Sequence, residues 1–292
     1  MDYYTDYKED AALRGSFDAL AREVFGISFE SWYQGGFWDG RYVCHSLVEG
    51  GTVVSNVSVT RMDLVLQGRE VRAWQVGTVM TREGYRGRGL AARLMNRVLE
   101  QYRDRGDLWY LFPNESVMSF YPRYGFLPGR DVYYRLQVPR GAGGSIPPGL
   151  ELTKIDVNDR AQRRKLVDGV NSRSPLSSRF DTRGCASIYM WHCLNGLRDC
   201  IYRISGTDTY IVFYEDDNTL GLFDIIADRR PPVQEILGAL ASRAGNRELR
   251  LHILPDELPD YSWPLSEHEN EDMFFLPGAP ETSFAHQLLA HT

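Results

Sequence analysis

The sequence has few cysteines, no run of 18 or more apolar residues, and no Lys or Arg after Arg250. Each shortage narrows the reading. Without a long apolar run there is no candidate membrane-spanning helix, and Met1-Asp2-Tyr3-Tyr4 lacks the basic-then-apolar pattern of a secretory leader, so a cytoplasmic protein with no membrane partner is expected. Cys44, Cys185, Cys193 and Cys200 fall at irregular spacings with no C-x-x-C pair, which argues against a disulfide framework and against zinc. His192 beside Cys193 reads more simply as a pair of core residues, and no metal is expected. No basic patch is evident, so a nucleic-acid partner is not expected. Up to Arg140 there are 18 Lys and Arg against 17 Asp and Glu; the remainder holds 15 against 22. Asp256, Glu257, Asp260, Glu267, Glu269, Glu271, Asp272 and Glu281 concentrate that excess near the C-terminus, which suits a cationic acceptor but equally a solvated acidic face.

What is present is ordinary for a globular protein: 43% hydrophobic and 25% charged residues over 292 positions, enough for two domains. The organising stretch is residues 76–95, VGTVMTREGYRGRGLAARLM. An apolar strand runs into a turn holding Gly84, Gly87 and Gly89, and a helix follows at once. Such a turn presents backbone N–H groups with no intrahelical partner at the positive end of the helix dipole, which is a phosphate site. Arg86 and Arg88 flank it and add charge-assisted donors. The helix begins near Leu90, because Leu90, Leu94 and Val98 recur at i+4 with Ala91, Met95, Leu99 and Tyr102 beside them. Gly87-Arg88-Gly89-Leu90-Ala91-Ala92 also fits the G-x-G-x-x-A dinucleotide pattern. That reading needs the motif in the first strand-turn-helix of its domain, with alternating units after it, whereas here a strand-rich region precedes it. A turn without any ligand is the third alternative.

Taken in order, the chain predicts a strand over residues 2–8, a helix over 9–25 ended by Gly26, and a shorter helix over 28–34 with Ser28 as its cap. A Gly- and aromatic-rich loop over 35–40 follows. Residues 42–48, 53–66 and 71–81 read as an antiparallel meander, and Leu108-Trp109-Tyr110-Leu111-Phe112 as a buried strand. Residues 139–149, almost entirely Gly, Pro and Ser, read as a linker between a domain over 1–138 and a second over 150–292. Beyond it the order repeats in outline: strand 150–155, helix 159–170, strands 200–204, 209–214 and 220–227, helix 233–241, strands 249–254 and 273–276. The second strand-to-helix turn is Asp228-Arg229-Arg230-Pro231-Pro232, where prolines remove donors and no glycine lets a pyrophosphate approach.

Arg86-Gly87-Arg88-Gly89-Leu90-Ala91, following Val79-Met80-Thr81, resembles the acyl-CoA pyrophosphate loop of the GCN5-related N-acetyltransferases (GNATs), R/Q-x-x-G-x-G/A. Asn114 and then Phe120-Tyr121-Pro122-Arg123-Tyr124-Gly125-Phe126 resemble that family's second landmark, a strand-end Asn followed by FYxxxGF. The resemblance covers about residues 1–138. It implies an α/β fold, two tandem GNAT-like units with mixed central sheets flanked by helices, the second degenerate, in an arrangement similar to the Eis-like acetyltransferases without their third domain.

The resemblance further implies acetyl-CoA as co-substrate and direct attack of an amine on its thioester. Backbone groups of Val79, Met80 and Thr81 would pair with pantetheine, and those of Arg86, Gly87, Arg88, Gly89, Leu90 and Ala91 would hold the pyrophosphate. Asn114 would bind near the pantetheine, and Tyr121 would protonate the leaving thiolate. The region between the first two strands is where such enzymes build acceptor specificity, so Trp32, Tyr33, Phe37 and Trp38 are candidate acceptor contacts, although these aromatics serve equally as core. Relatives with a Glu in the strand before the phosphate turn have Trp74 and Gln75 as counterparts here. Glu83, Asp39, His45 or a carboxylate of the acidic second half are open choices for a general base. The expected acceptor is a small-molecule primary amine, aminoglycoside- or polyamine-like; a protein amine, or acyl-CoA sensing without catalysis, are the alternatives, and a homo-oligomer is compatible with each.

Overall fold

The computed structural model describes residues 1–137, 150–245, 248–257, 265–277 and 285–291. The segment read as a linker, 139–149, lies outside the described residues.

Strand β1 (Asp2–Thr5) leads into helix α1 (Ala11–Phe25). The Asp10 carboxylate accepts from the Ala12 and Leu13 amides, and Gly26, in the left-handed region at φ 70°, closes the other end on Arg22. Phe17, Leu20 and Ala21 bury one face of α1 completely. Helix α2 is short (Glu30–Gln34), with Phe29 at its N-cap position. The Ser28 hydroxyl, one residue earlier, accepts from the Glu30 amide at 3.3 Å, the bond a Ser cap makes, and donates to Asp18 at 2.9 Å.

The meander follows as β2 (Tyr42–Glu49), β3 (Thr52–Leu66) and β4 (Arg69–Thr81). Both hairpin turns carry two residues at positive φ, Gly50-Gly51 and Gln67-Gly68, the backbone that matches strand twist across a two-residue loop. Helix α3 (Leu90–Tyr102) then crosses to β5 (Leu108–Leu111), which lies parallel to β4. Strand β6 (Leu127–Leu136) ends the first half. The second half contains β7 (Leu152–Lys154), α4 (Arg160–Ser172), β8 (Phe180–Arg183), α5 (Ala186–Leu194), β9 (Ile201–Ile204), β10 (Tyr210–Glu215) and β11 (Thr219–Ile226). It closes with α6 (Val233–Ala244), β12 (Glu248–Leu251) and β13 (Leu265–Leu276).

Among the described residues these strands form one continuous sheet, ordered β1-β2-β3-β4-β5-β13-β6-β12-β11-β10-β9-β7, with β8 attached to β3. The order is a palindrome of roles. The antiparallel meander β2-β3-β4 answers β9-β10-β11, and the parallel pair β4–β5 joined by α3 answers β11–β12 joined by α6. Two strands are exchanged. The last strand of the chain's second half, β13, lies antiparallel to β5, while the last strand of its first half, β6, lies antiparallel to β12; β13 and β6 pair with each other at the centre. The repeat of element order in the sequence is thus a tandem of one α/β fold, but the two copies share a single sheet.

The core is correspondingly shared. Met62, Leu64 and Tyr110 pack in one buried cluster with Tyr189, Met190 and Phe275. Strand β8 and helix α5 are absent from the sequence-based outline. Residues 186–190 are all buried, so α5 has no polar face and no 3.6-residue alternation to reveal it.

Candidate active site

The parallel pairing of β4 with β5 stops at Val76 opposite Leu111. Just beyond, β4 carries a bulge: Gly77 pairs with Ser58 and Met80 with Asn56, so two residues of β4 oppose one of β3. One of those two is Thr78, at φ 49°. A β-branched residue in the left-handed region is strained and needs its surroundings to hold it. They do: the Thr78 hydroxyl bonds the Tyr42 hydroxyl at 2.8 Å, and its carbonyl accepts from the Asn56 amide side chain at 2.8 Å. The bulge turns β4 away from β5 and opens a cleft of about 600 Å³ between them.

Val79, Met80, Thr81, Arg86, Ala91, Asn114 and Tyr121, all singled out from the sequence, line this cleft. At its mouth a 3₁₀ turn, Glu83–Tyr85, leads to Gly87 and Gly89 at φ 75° and 71°, with open space where a Cβ would stand at either. Gly89 is the N-cap of α3 and has no side chain to satisfy the first-turn amides. Those amides, the dipole of α3 and the exposed Arg86 and Arg88 together form an anion site. Arg88 donates to the Gly84 carbonyl at 2.8 Å and lies over the Tyr85 ring, while Arg86 donates to the Thr81 carbonyl at 3.2 Å. Leu90 points the other way, into the core.

Asn114 precedes a second 3₁₀ turn, Glu115–Val117, and is exposed at the cleft. Tyr121 opens a third, Tyr121–Tyr124, wedged among Phe120, Phe126 and Phe274. It is 5% exposed, and burial, with a smaller contribution from Tyr124, pushes its phenol up to about 12, so it keeps its proton at neutral pH.

The four aromatic candidates of residues 32–38 separate. Trp32 is fully buried, stacks on Trp38 at 5.5 Å, and lines a smaller cavity discussed below. Trp38 donates its indole N–H to the Tyr42 carbonyl within the core. Tyr33 lies under the Arg14 guanidinium, and Phe37 packs against Gly35, neither in the lining of the two cavities. The base candidates stand apart as well. His45 is buried between Tyr3 and Tyr102, 2.6 and 3.1 Å from their hydroxyls, Asp39 accepts from the Arg41 amide, and Glu83 lies in the exposed 3₁₀ turn.

The residue that sequence reasoning missed is His291, which lines the cleft beside Phe112 at 4.0 Å between rings. Its carbonyl accepts a 2.7 Å hydrogen bond from His192 Nε2, which must therefore carry the proton. Burial, then the neighbouring His192, lowers the His291 imidazole to about 3, so it is neutral at neutral pH. The segment 285–291 that delivers it is fastened by a buried polar network. Gln287 donates to Asp181 and accepts from Thr182, the His286 amide donates to Asp131, and Asp181 and Asp224 share the guanidinium of the fully buried Arg173. Nothing in the local sequence announces this, because the partners come from β6, β8, β11 and the residue that ends α4.

The corresponding place in the second copy holds a charged residue. The β11–β12 pairing stops at Leu222 opposite Leu251, and two residues on, where Thr78 stands in β4, is Asp224, gripped by Arg173 at 2.6 and 3.0 Å. Helix α6 begins behind Pro231 and Pro232. Among the described residues no helix is long and apolar enough to cross a membrane, and no group of three or more His, Cys, Asp or Glu could hold a metal ion.

Residues 17–129 match the family model of the acetyltransferase (GNAT) domain. Solved structures similar to this one over 94% of the chain include a GCN5-related N-acetyltransferase from Kribbella flavida, at 20% identity, TM-score 0.56 and 70% of its length. Eis1 from Mycobacterium abscessus is similar at 15% identity, TM-score 0.58 and 73% of its length. A conserved protein of unknown function from Enterococcus faecalis, titled a probable N-acyltransferase, is similar at 15% identity, TM-score 0.60 and 72% of its length. No curated protein matches the sequence. With the glycine turn and the bulged β4 falling inside them, residues 17–129 match the acetyltransferase (GNAT) domain, and the chain as a whole has the tandem fold of these neighbours.

Proposed function

We propose that this chain transfers an acetyl group from acetyl-CoA to a primary amine of a small molecule, at the cleft between β4 and β5. The observation that carries the proposal is the continuity of that cleft, from an anion-binding helix start at Gly87–Gly89, past the bulge at Thr78, to the protonated phenol of Tyr121. The pyrophosphate of the donor fits the first-turn amides of α3 with Arg86 and Arg88 beside them. Backbone groups of Val79 and Thr81, freed from β5, suit the amide-rich pantetheine, and an N–H at the bulge suits the thioester oxygen as negative charge develops there. Asn114 lies where the pantetheine arm would pass. The C–N bond forms as the amine nitrogen attacks the thioester carbon and the C–S bond breaks; the nitrogen's proton passes to water, the sulfur gains one from Tyr121, and the phenolate regains its proton from water.

A small acceptor is favoured over a protein because α5 and segment 285–291 of the second half roof the acceptor end of the cleft, where a polypeptide acceptor would need an open groove. Thiol release from acetyl-CoA with a panel of amines tests the proposal, with calorimetry for CoA itself. Binding of CoA abolished by Gly89→Glu, together with amine-dependent thiol release, is the expected result. Absence of CoA binding would overturn it, and binding without thiol release from any amine would point to acyl-CoA sensing.

A further inference from the structure

The donor cleft meets a smaller cavity of about 50 Å³ at the bulge, for Ile27, Thr78 and His291 line both. The remaining walls are Phe29, Trp32 and Tyr42 from the first half and Ile188 and Trp191 from α5. Two of their polar groups are bonded elsewhere, the Trp32 indole N–H to the Ser187 carbonyl at 2.6 Å and the Tyr42 hydroxyl to Thr78 at 2.8 Å, while the buried Trp191 indole N–H, a donor that offers nothing to a cation, has no hydrogen-bond partner. Among the described residues no carboxylate lines either cavity, and Arg86 is the cation of the cleft lining.

Taking the roughly 30 Å³ that a water occupies in the liquid as a scale, such a chamber holds about two methyl-sized groups before its walls move. An ammonium brought among these walls finds no anion among the described residues, and low polarity shifts an amine toward its neutral form, which is the form that attacks a thioester. A second ammonium elsewhere on the same molecule would meet the same walls or Arg86, again without a carboxylate partner. Resting on the acetyltransferase reading, we propose that this chamber is the acceptor subsite and that it selects a primary amine carried on a compact, uncharged apolar group, not a polycation of the aminoglycoside or polyamine kind. The apolar group enters between Ile188, Trp191 and the Phe29–Trp32–Tyr42 wall, and the nitrogen stays at Thr78 and His291, facing the donor. Among the described acidic residues of the second half none lines the chamber; Asp256 is bound to Ser178, and Glu267 accepts from the Tyr134 hydroxyl on β6. The second half contributes an apolar roof and one imidazole.

The test compares kcat/KM for isobutylamine and propylamine with that for spermidine and kanamycin at saturating acetyl-CoA. The apolar pair should exceed the polycations at least tenfold. Ile188→Glu, which places a carboxylate in the chamber, should reverse the order; because Ile188 is buried, Trp191→Ala at a half-exposed wall serves beside it and should raise KM for isobutylamine several-fold with the CoA Kd unchanged. Spermidine or kanamycin turned over as well as the apolar amines by the unaltered protein would overturn the subsite while leaving the acetyltransferase reading intact. Thiol release from none of the four, with CoA bound, would overturn that reading and the subsite with it.

Discussion

Replacing Tyr121 by Phe removes one oxygen and leaves the ring among Phe120, Phe126 and Phe274, so packing should survive. The size of the catalytic loss follows from the proton's energetics. The phenol is held at about 12 by burial, whereas a thiol such as the leaving group ionises near 8.5, a gap of about 3.5 units or roughly 5 kcal/mol against complete transfer. Complete transfer in the transition state is therefore unfavourable, and Tyr121 acts as a strong hydrogen-bond donor to sulfur as the C–S bond opens. General-acid catalysis spans about 10²- to 10⁴-fold, and this mismatch puts Tyr121→Phe at the low end, near 10² in kcat. CoA affinity should stay within about twofold, since uniform binding does not depend on a group that acts only as charge develops. The assay is steady-state thiol release at saturating acetyl-CoA across pH 6 to 10, with calorimetry for CoA. Over that range the unaltered protein should show no loss of rate from phenol ionisation. A change in kcat below about threefold would refute the assignment, and an equal loss of CoA affinity would show that Tyr121 acts in binding instead.

Gly89→Ala forces a Cβ into the left-handed region at the start of α3, where strain costs about 1–2 kcal/mol, and it places a methyl at the anion site; CoA binding by calorimetry should weaken at least tenfold. Arg173→Met leaves Asp181 and Asp224 buried without their cation and should destabilise the protein by about 3–5 kcal/mol in urea unfolding, far more than an exposed ion pair such as Lys154–Asp199 would. His45 sits at about 4 in the folded state because burial opposes its charge, against about 6.5 unfolded, so its contribution is complete above pH 6.5 and is lost as pH falls toward 4, to a limit of about 3 kcal/mol. His45→Gln should accordingly lower the slope of unfolding free energy against pH by close to one proton between pH 6.5 and 4, and an unchanged slope would refute the assignment.

The donor half of the site was legible because it is written locally. Gly87, Gly89, Arg86 and Arg88 are neighbours, the proposed anion donors include the first-turn amides of α3, and a glycine at positive φ leaves a direct trace in the sequence. Asn114 and Tyr121 were legible by resemblance alone, since a tyrosine next to a proline has many other uses. The bulge was not legible: Thr78 looks like any strand residue, and only its partners Tyr42 and Asn56 hold it at φ 49°. The acceptor end was the least legible. Its walls come from segments near residues 27, 42, 78, 188 and 291, so no window of sequence contains it. Of the aromatic cluster at 32–38, Trp32 alone lines the chamber, because burial on a sheet consumes most such rings as core. The repeat of strand and helix order announced the tandem, but a strand's partner is set by tertiary packing, and the exchange of β6 and β13 left no local mark.

That exchange has a bearing on how the enzyme is made. Strand β5, which leads into Phe112 on the cleft wall, gains its second neighbour only when β13 arrives, after all of α4, α5 and α6 have been synthesised. At typical translation rates of about 5–20 residues per second, the edge of β5 waits on the order of ten seconds or more with its backbone unpaired on one side. During that interval the nascent first half presents an incomplete sheet edge, the kind of surface that recruits chaperones or a strand from another chain. Expression of residues 1–137 by themselves should therefore yield a protein that binds CoA poorly and self-associates, and supplying the second half afterwards should restore function only if β6 has not already found another partner.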